Sequence, residues 1–343
     1  MTISLSRAQM EARRVRYEDL RPCTTAFVDT RTPGSDRKEN FTIIGPGVAE
    51  NPDQYVHITI PHGFNIGGAR QPPHCVNSQH SHETAEVFVV HSGTWRFKTG
   101  VDGTDGHVDL GPGDVISIPT HAFRGFENIG EDVGFLFAVL GGDDPGRVTW
   151  APYVFDSAAR YGLVLLQDGR LIDTTRQAVP ADAVPMRPTS AAEAASFDRY
   201  DSVGIAGCTA RTSDFRAGGG LSEFDGFAEC PIVGVENPAE RCPAGPLSWA
   251  HGFQVRTLKV RPGAKSLPHL RREEEVLFVH RGGLTVEWAD GSLTLAVGDT
   301  LSVPKDLVRV LTNDTTSEAI VFAVRGGDHP AAAHVVSDLR ASG

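Results

Sequence analysis

Cysteine is scarce in this chain and poorly spaced for cross-linking. Cys23, Cys75, Cys208, Cys230 and Cys242 make an odd count with no Cys-x-x-Cys pair among 343 residues, which excludes a disulfide framework. Basic charge is short as well. Thirty-two Lys and Arg stand against 43 Asp and Glu for a net charge of −11, with no basic stripe, so a sequence-independent grip on nucleic-acid backbones is excluded. No apolar run approaches the roughly 18 residues that a membrane-spanning helix needs. Met1 to Arg14 reads as a polar amphipathic stretch rather than a signal peptide. The expectation is a cytoplasmic protein with neither nucleic acid nor membrane as a partner. Long helical periodicity is also missing from both halves.

What is present is punctuation. Glycine (37) and proline (22) separate short runs rich in Val, Ile, Phe and Thr, such as Glu86 to His91, Thr94 to Lys98, Val115 to Ile118 and Gly134 to Leu140. That pattern predicts an all-β protein built of short antiparallel strands. Ala289-Asp290-Gly291 reads as a hairpin turn between Leu284–Trp288 and Leu293–Val297. Short helices are expected over Ser6–Arg14, where Ser6 and Gln9 have capping-box spacing, and near Ala191–Phe197. Residues 177 to 195 have linker composition.

The chain is also written twice. His62-Gly63-Phe64, His80, Glu86 and Gly93 recur as His251-Gly252-Phe253, His269, Glu275 and Gly282, offset by 189 (269 − 80). Gly113-Asp114, Pro119, Arg124, Asn128 and Phe137-Ala138-Val139 recur as Gly298-Asp299, Pro304, Arg309, Asn313 and Phe322-Ala323-Val324, offset by 185 (298 − 113). Four residues (189 − 185) are therefore missing from one hairpin loop of the second copy, and two copies of one domain are present. They differ at one telling place. The first reads His80-Ser81-His82 where the second reads His269-Leu270-Arg271.

Alternate residues of a strand share a face, so His80, His82 and Glu86 project together if one strand runs through all three. Two imidazoles and a carboxylate suit a divalent metal and resemble the face that leaves coordination positions open on non-haem Fe(II). The spacings His80-x-His82-x3-Glu86-x6-Gly93 and Gly113-x5-Pro119-x8-Asn128 resemble the two signature motifs of the cupin superfamily, and the whole chain resembles a bicupin. The resemblance implies two tandem double-stranded β-helix barrels related by duplication. The expected division is an N-terminal extension (1–60) packing on the barrels, a metal-binding barrel (61–145), a linker with the second-copy extension (146–245), a degenerate barrel (246–330) and a tail (331–343). A homodimer is expected from the length of that first extension.

The chain departs from the family pattern at the second-motif histidine, which is Arg124 here and Arg309 in the second copy. A guanidinium stays protonated and cannot ligate a cation. The metal set is then at most His80, His82 and Glu86 unless His121, three residues before Arg124, swings in, and the resemblance argues against His121 because it stands where the family usually has a glycine turn. The bland alternative is a vestigial cluster in which Glu86 pairs with Arg124. Arg124 itself reads either as a clamp on a substrate anion or as one of two inherited ion pairs, Arg124 with Glu86 and Arg309 with Glu275. In the second copy Arg271 neutralises the run Glu273-Glu274-Glu275. His74-Cys75, His62 and His251 read as structural. Trp95, Phe97, Phe123 and Phe126 either line the barrel mouth or fill the core. The resemblance implies a metal-dependent enzyme, foremost a non-haem Fe(II) dioxygenase of the kind that opens hydroxybenzoates, acting on a small anionic substrate with Arg124 orienting it. The alternatives are a redox-silent lyase or isomerase with zinc, manganese or nickel, and a binding module without catalysis.

Overall fold

The computed structural model describes residues 2–340. It separates into two compact units, Arg21–Thr59 with Asn65–Thr209, and Met1–Leu20 with Ile60–Phe64 and Ala210–Gly343. Each unit holds one barrel of two antiparallel sheets.

In the first barrel one sheet orders Thr149–Trp150, Val76–Ser81, Arg124–Asn128, Trp95–Thr99 and Gly106–Leu110. The facing sheet orders Val115–Ile118, Glu86–Ser92, Gly134–Gly141, Phe64–Gln71 and Glu39–Ile44, with Val56–Ile58 parallel to the last. Strand Trp95–Thr99 shows why these segments pair. Its residues alternate between buried and half-buried, so Trp95 and Phe97 enter the core with Phe88, Val90, Ile116 and Phe126, each burial contributing roughly 1.5–3 kcal/mol. These aromatics are therefore core, and Phe123 is buried in a neighbouring cluster with Trp150. The helix Ser202–Ala206, capped by Asp201, leads into Cys208, whose carbonyl accepts from Ser117 N at 2.9 Å and covers the edge of Val115–Ile118.

The second barrel repeats both sheet orders, with Thr300–Val303, Glu275–Arg281, Ala319–Gly326, Phe253–Val260 and Phe227–Val233 in one, and His334–Val335, His269–Leu270, Arg309–Thr312, Leu284–Trp288 and Gly291–Leu295 in the other. The expected N-terminal helix has its capping box at Ser6 and Gln9 but spans only Arg7–Glu11. Arg14–Val15 instead pairs with Thr300–Val303, because edge pairing outweighs a weak local helical preference.

Two repeated landmarks are fold devices. Gly93 (φ 84°) and Gly282 (φ 75°) sit in the left-handed region, where an added Cβ would lie 2.8 Å from Gly134 Cα and 2.9 Å from Ala319 Cα respectively. Asn128 and Asn313 each bridge two carbonyls, Gln71 and Asp132 in one copy and Val260 and Ser317 in the other. The five cysteines are all free. No helix among the described residues is long and apolar enough to cross a membrane.

Candidate metal centre

The three expected ligands meet, although not on one strand. Val76–Ser81 ends before His82, and Glu86 opens the next strand, Glu86–Ser92. The bend between them is pinned where Thr84 Oγ1 donates to Pro145 O (3.0 Å) and Gly141 N donates to Ala85 O (3.0 Å). One ligand atom from each of His80, His82 and Glu86 then lies within 4.8 Å of the others. All three side chains are buried.

Their protonation suits a cation. His80 Nδ1 lies 2.7 Å from Ser78 O, a carbonyl that only accepts, so Nδ1 carries the hydrogen and Nε2 keeps its lone pair. Burial, reinforced by the Arg124 charge, holds both imidazoles well below the ordinary histidine range and therefore neutral. Burial also pushes the Glu86 carboxyl up, against the pull of Arg124. Glu86 Oε2 accepts from Arg124 Nη2, and its Oε1 faces His82 Nε2 at 3.7 Å. Two neutral imidazoles and an arginine-paired carboxyl group thus converge in a buried place, and His82 Nδ1 has no hydrogen-bond partner. The donor set fits a borderline divalent ion.

Arg124 is cross-strand neighbour to His80. Its Nη1 donates to His80 O at 2.8 Å, its Nη2 to Glu86, and it does not line the adjoining cavity. Beside the ligands Trp150 packs on His80 (centroids 5.1 Å apart) and donates to Glu50 Oε1 at 2.6 Å. Burial raises the Glu50 carboxyl to about 7. Cys75 is fully buried, and burial pushes its thiol up, the opposite of an activated nucleophile. His121 (φ 57°) stacks on Phe197 at 4.2 Å and stands outside the ligand cluster. His62 bonds Ile60 O and Ser302 Oγ, and His251 bonds Trp249 O, so both serve structure.

A family model described as a cupin domain matches residues 69–140 and again 256–325, spanning both motif pairs and both barrels. The chain carries two cupin domains in tandem, the arrangement of a bicupin. Solved structures similar to it include an oxalate decarboxylase formate complex from Lactobacillus farciminis, at 12% identity and TM-score 0.58 over 98% of this chain and 90% of that one. A deletion mutant of Bacillus subtilis oxalate decarboxylase aligns at 14% identity and TM-score 0.56, over 97% and 80%. At such identities the likeness shows the fold. A comparison with curated protein sequences finds no match.

The bicupin's two barrel interiors differ sharply. The first encloses a cavity of about 70 Å³ beside the ligands, lined by Asn40, Gln54, Gly67, His82 and Leu140 among others. At the matching positions the second barrel has Glu229, Glu240, Arg256, Arg271 and Arg325, all buried. Arg256 reaches Glu229 (2.8 Å) and Glu240 (2.5 Å), Arg325 reaches Glu229 (2.7 Å) and Glu275 (2.8 Å), and Arg271 reaches Glu240 (2.7 Å) and Glu275 (3.1 Å). Arg309 adds a bond to Glu275 at 2.6 Å. Four guanidinium groups and three carboxylates occupy that interior, and Arg271 stands where a second imidazole would be needed.

Proposed function

We propose that the first barrel is a metal-dependent active site for a small organic anion, with His80, His82 and Glu86 holding one divalent transition metal, iron foremost. The observation that carries this reading is the convergence of two neutral imidazoles and a carboxylate, all buried, at the edge of a small cavity. Charge balance supports an anionic substrate. Glu86 and Arg124 cancel, the imidazoles are neutral, and a dication therefore leaves an excess of positive charge that an anion offsets. When bound, the metal supplies Lewis-acid polarisation and, in the case of iron, redox chemistry with dioxygen.

The chain's own residues prepare this site. Ser78 O fixes the His80 tautomer, and Arg124 engages one Glu86 oxygen while the other faces His82, so Arg124 acts as a positioning residue. Phe27, Ile66, Phe88 and Leu140 give the cavity an apolar wall beside the ligands.

The first reading of the reaction is oxidation by dioxygen. The second, a redox-silent lyase, draws on the oxalate decarboxylase names of the similar structures. Iron- and manganese-loaded protein offered a panel of small carboxylates and hydroxybenzoates in an oxygen electrode separates them. Substrate-dependent oxygen uptake supports the dioxygenase, carbon dioxide release without net oxygen uptake supports the lyase, and binding without turnover by any metal form rejects catalysis.

A further inference from the structure

The first cavity carries polar groups that the metal ligands do not use. Lys38, its side chain fully enclosed, is ion-paired with Asp29 and donates to Asn77 Oδ1 at 2.6 Å. An ammonium has donors only, so Lys38 fixes the orientation of the Asn77 amide. Oxygen faces Lys38, which leaves the amide nitrogen to act as a donor, and Asn77 lines this cavity as well as the one beside Tyr153. Asn77 is only 7% exposed. Asn40 lines the same cavity, and its Oδ1 is buried with no hydrogen-bond partner. A buried acceptor without a donor is costly, and a ligand that supplies one relieves the cost.

The second barrel shows what this space accepts in another charge state. There the Arg256 guanidinium lies between Glu229 and Glu240. In the first barrel Gly67 leaves that room open, and the two carboxylates have the neutral amides Asn40 and Gln54 as counterparts. Neutral amides do not balance a buried cation. Gln54 is bonded to Thr42 Oγ1 and Pro46 O, so Asn40 is the amide left for a ligand, and it matches an uncharged group that donates a hydrogen bond.

We propose that the first barrel recognises a short hydroxycarboxylate, whose carboxylate receives a hydrogen bond from Asn77 Nδ2 and whose hydroxyl donates to Asn40 Oδ1. This rests on the metal-dependent reading above and adds its substrate class. Lys38 acts through Asn77 as a positioning residue.

Lactate and propionate differ by one hydroxyl and serve as probes. Calorimetric titration of metal-loaded protein should show lactate binding roughly tenfold tighter than propionate. Asn40→Leu should erase that difference by weakening lactate alone. Asn77→Asp keeps an acceptor for Lys38, so the fold is retained, but it turns a carboxylate toward the ligand and should weaken both probes at least roughly tenfold. Metal content, measured on each variant, should not change. Equal affinities in the unaltered protein, or discrimination that survives Asn40→Leu, overturn this inference while leaving the metal site standing. Protein that takes up no metal overturns both.

Discussion

Replacing Arg124 with alanine separates a charge partner from a bystander. Arg124 is 2% exposed and Glu86 5%, and among the described residues Arg124 is the one cation hydrogen-bonded to that carboxylate. Its removal leaves a buried charge uncompensated, a loss on the order of 3 kcal/mol in metal-free protein. The loss has a ceiling, because Glu86 escapes it by taking up a proton. From an ordinary carboxyl pKa near 4.3, at about 1.4 kcal/mol per pH unit, that escape costs roughly 4 kcal/mol at pH 7 and about 1 kcal/mol at pH 5. The sign follows. A carboxyl whose folded pKa lies above its unfolded value loses stability as pH rises between the two, so the Arg124→Ala deficit should grow from pH 5 to pH 7. Arg309→Ala is the internal control. Glu275 keeps Arg325 at 2.8 Å and Arg271 at 3.1 Å, and the deficit should be smaller, about 1–2 kcal/mol, and nearly independent of pH. Urea unfolding of both variants at the two pH values reads the outcome. Equal deficits, or a flat Arg124→Ala deficit, would refute Arg124 as the charge partner of Glu86.

Three further outcomes are expected. Gly67→Leu returns bulk to the room that Arg256 fills in the second barrel; its Cβ meets Phe41 O at 3.3 Å, so the chain should fold with a modest loss, keep its metal and bind lactate at least roughly tenfold more weakly by calorimetry. Glu50, raised to about 7 by burial, should make the unaltered protein lose stability as pH rises from about 4.5 to 7, and Glu50→Gln should flatten that slope in thermal melts. Arg325→Leu deprives both Glu229 and Glu275 of a guanidinium partner and should cost about 3–5 kcal/mol in chemical unfolding while leaving metal content untouched.

The duplicated landmarks made the fold legible, because Gly93, Gly113, Asn128 and their second-copy partners are set by backbone conformation and carbonyl bridging that both barrels need. The ligand residues were legible by type, but their geometry was not. His82 lies beyond the strand end, and convergence depends on a bend pinned from residues near 141 and 145, which spacing alone does not reveal. Arg124 presented two roles in the sequence, substrate clamp and ion-pair partner, and its bonds to Glu86 and His80 O favour the ion pair. The cavity was missed. Its signal lay in the same copy-to-copy comparison that exposed His82 against Arg271, since Gly67 against Arg256 and Leu140 against Arg325 put charge at positions of the second barrel that are uncharged in the first. Lys38, Asn77 and Glu50 left no such mark, because their importance arises from partners distant in sequence.

Elemental analysis of purified protein after saturation and gel filtration decides whether the first barrel holds a single metal. One divalent transition metal per chain is expected, lost in His82→Ala and retained in His269→Ala. Two metals per chain, or one that survives His82→Ala, would contradict it.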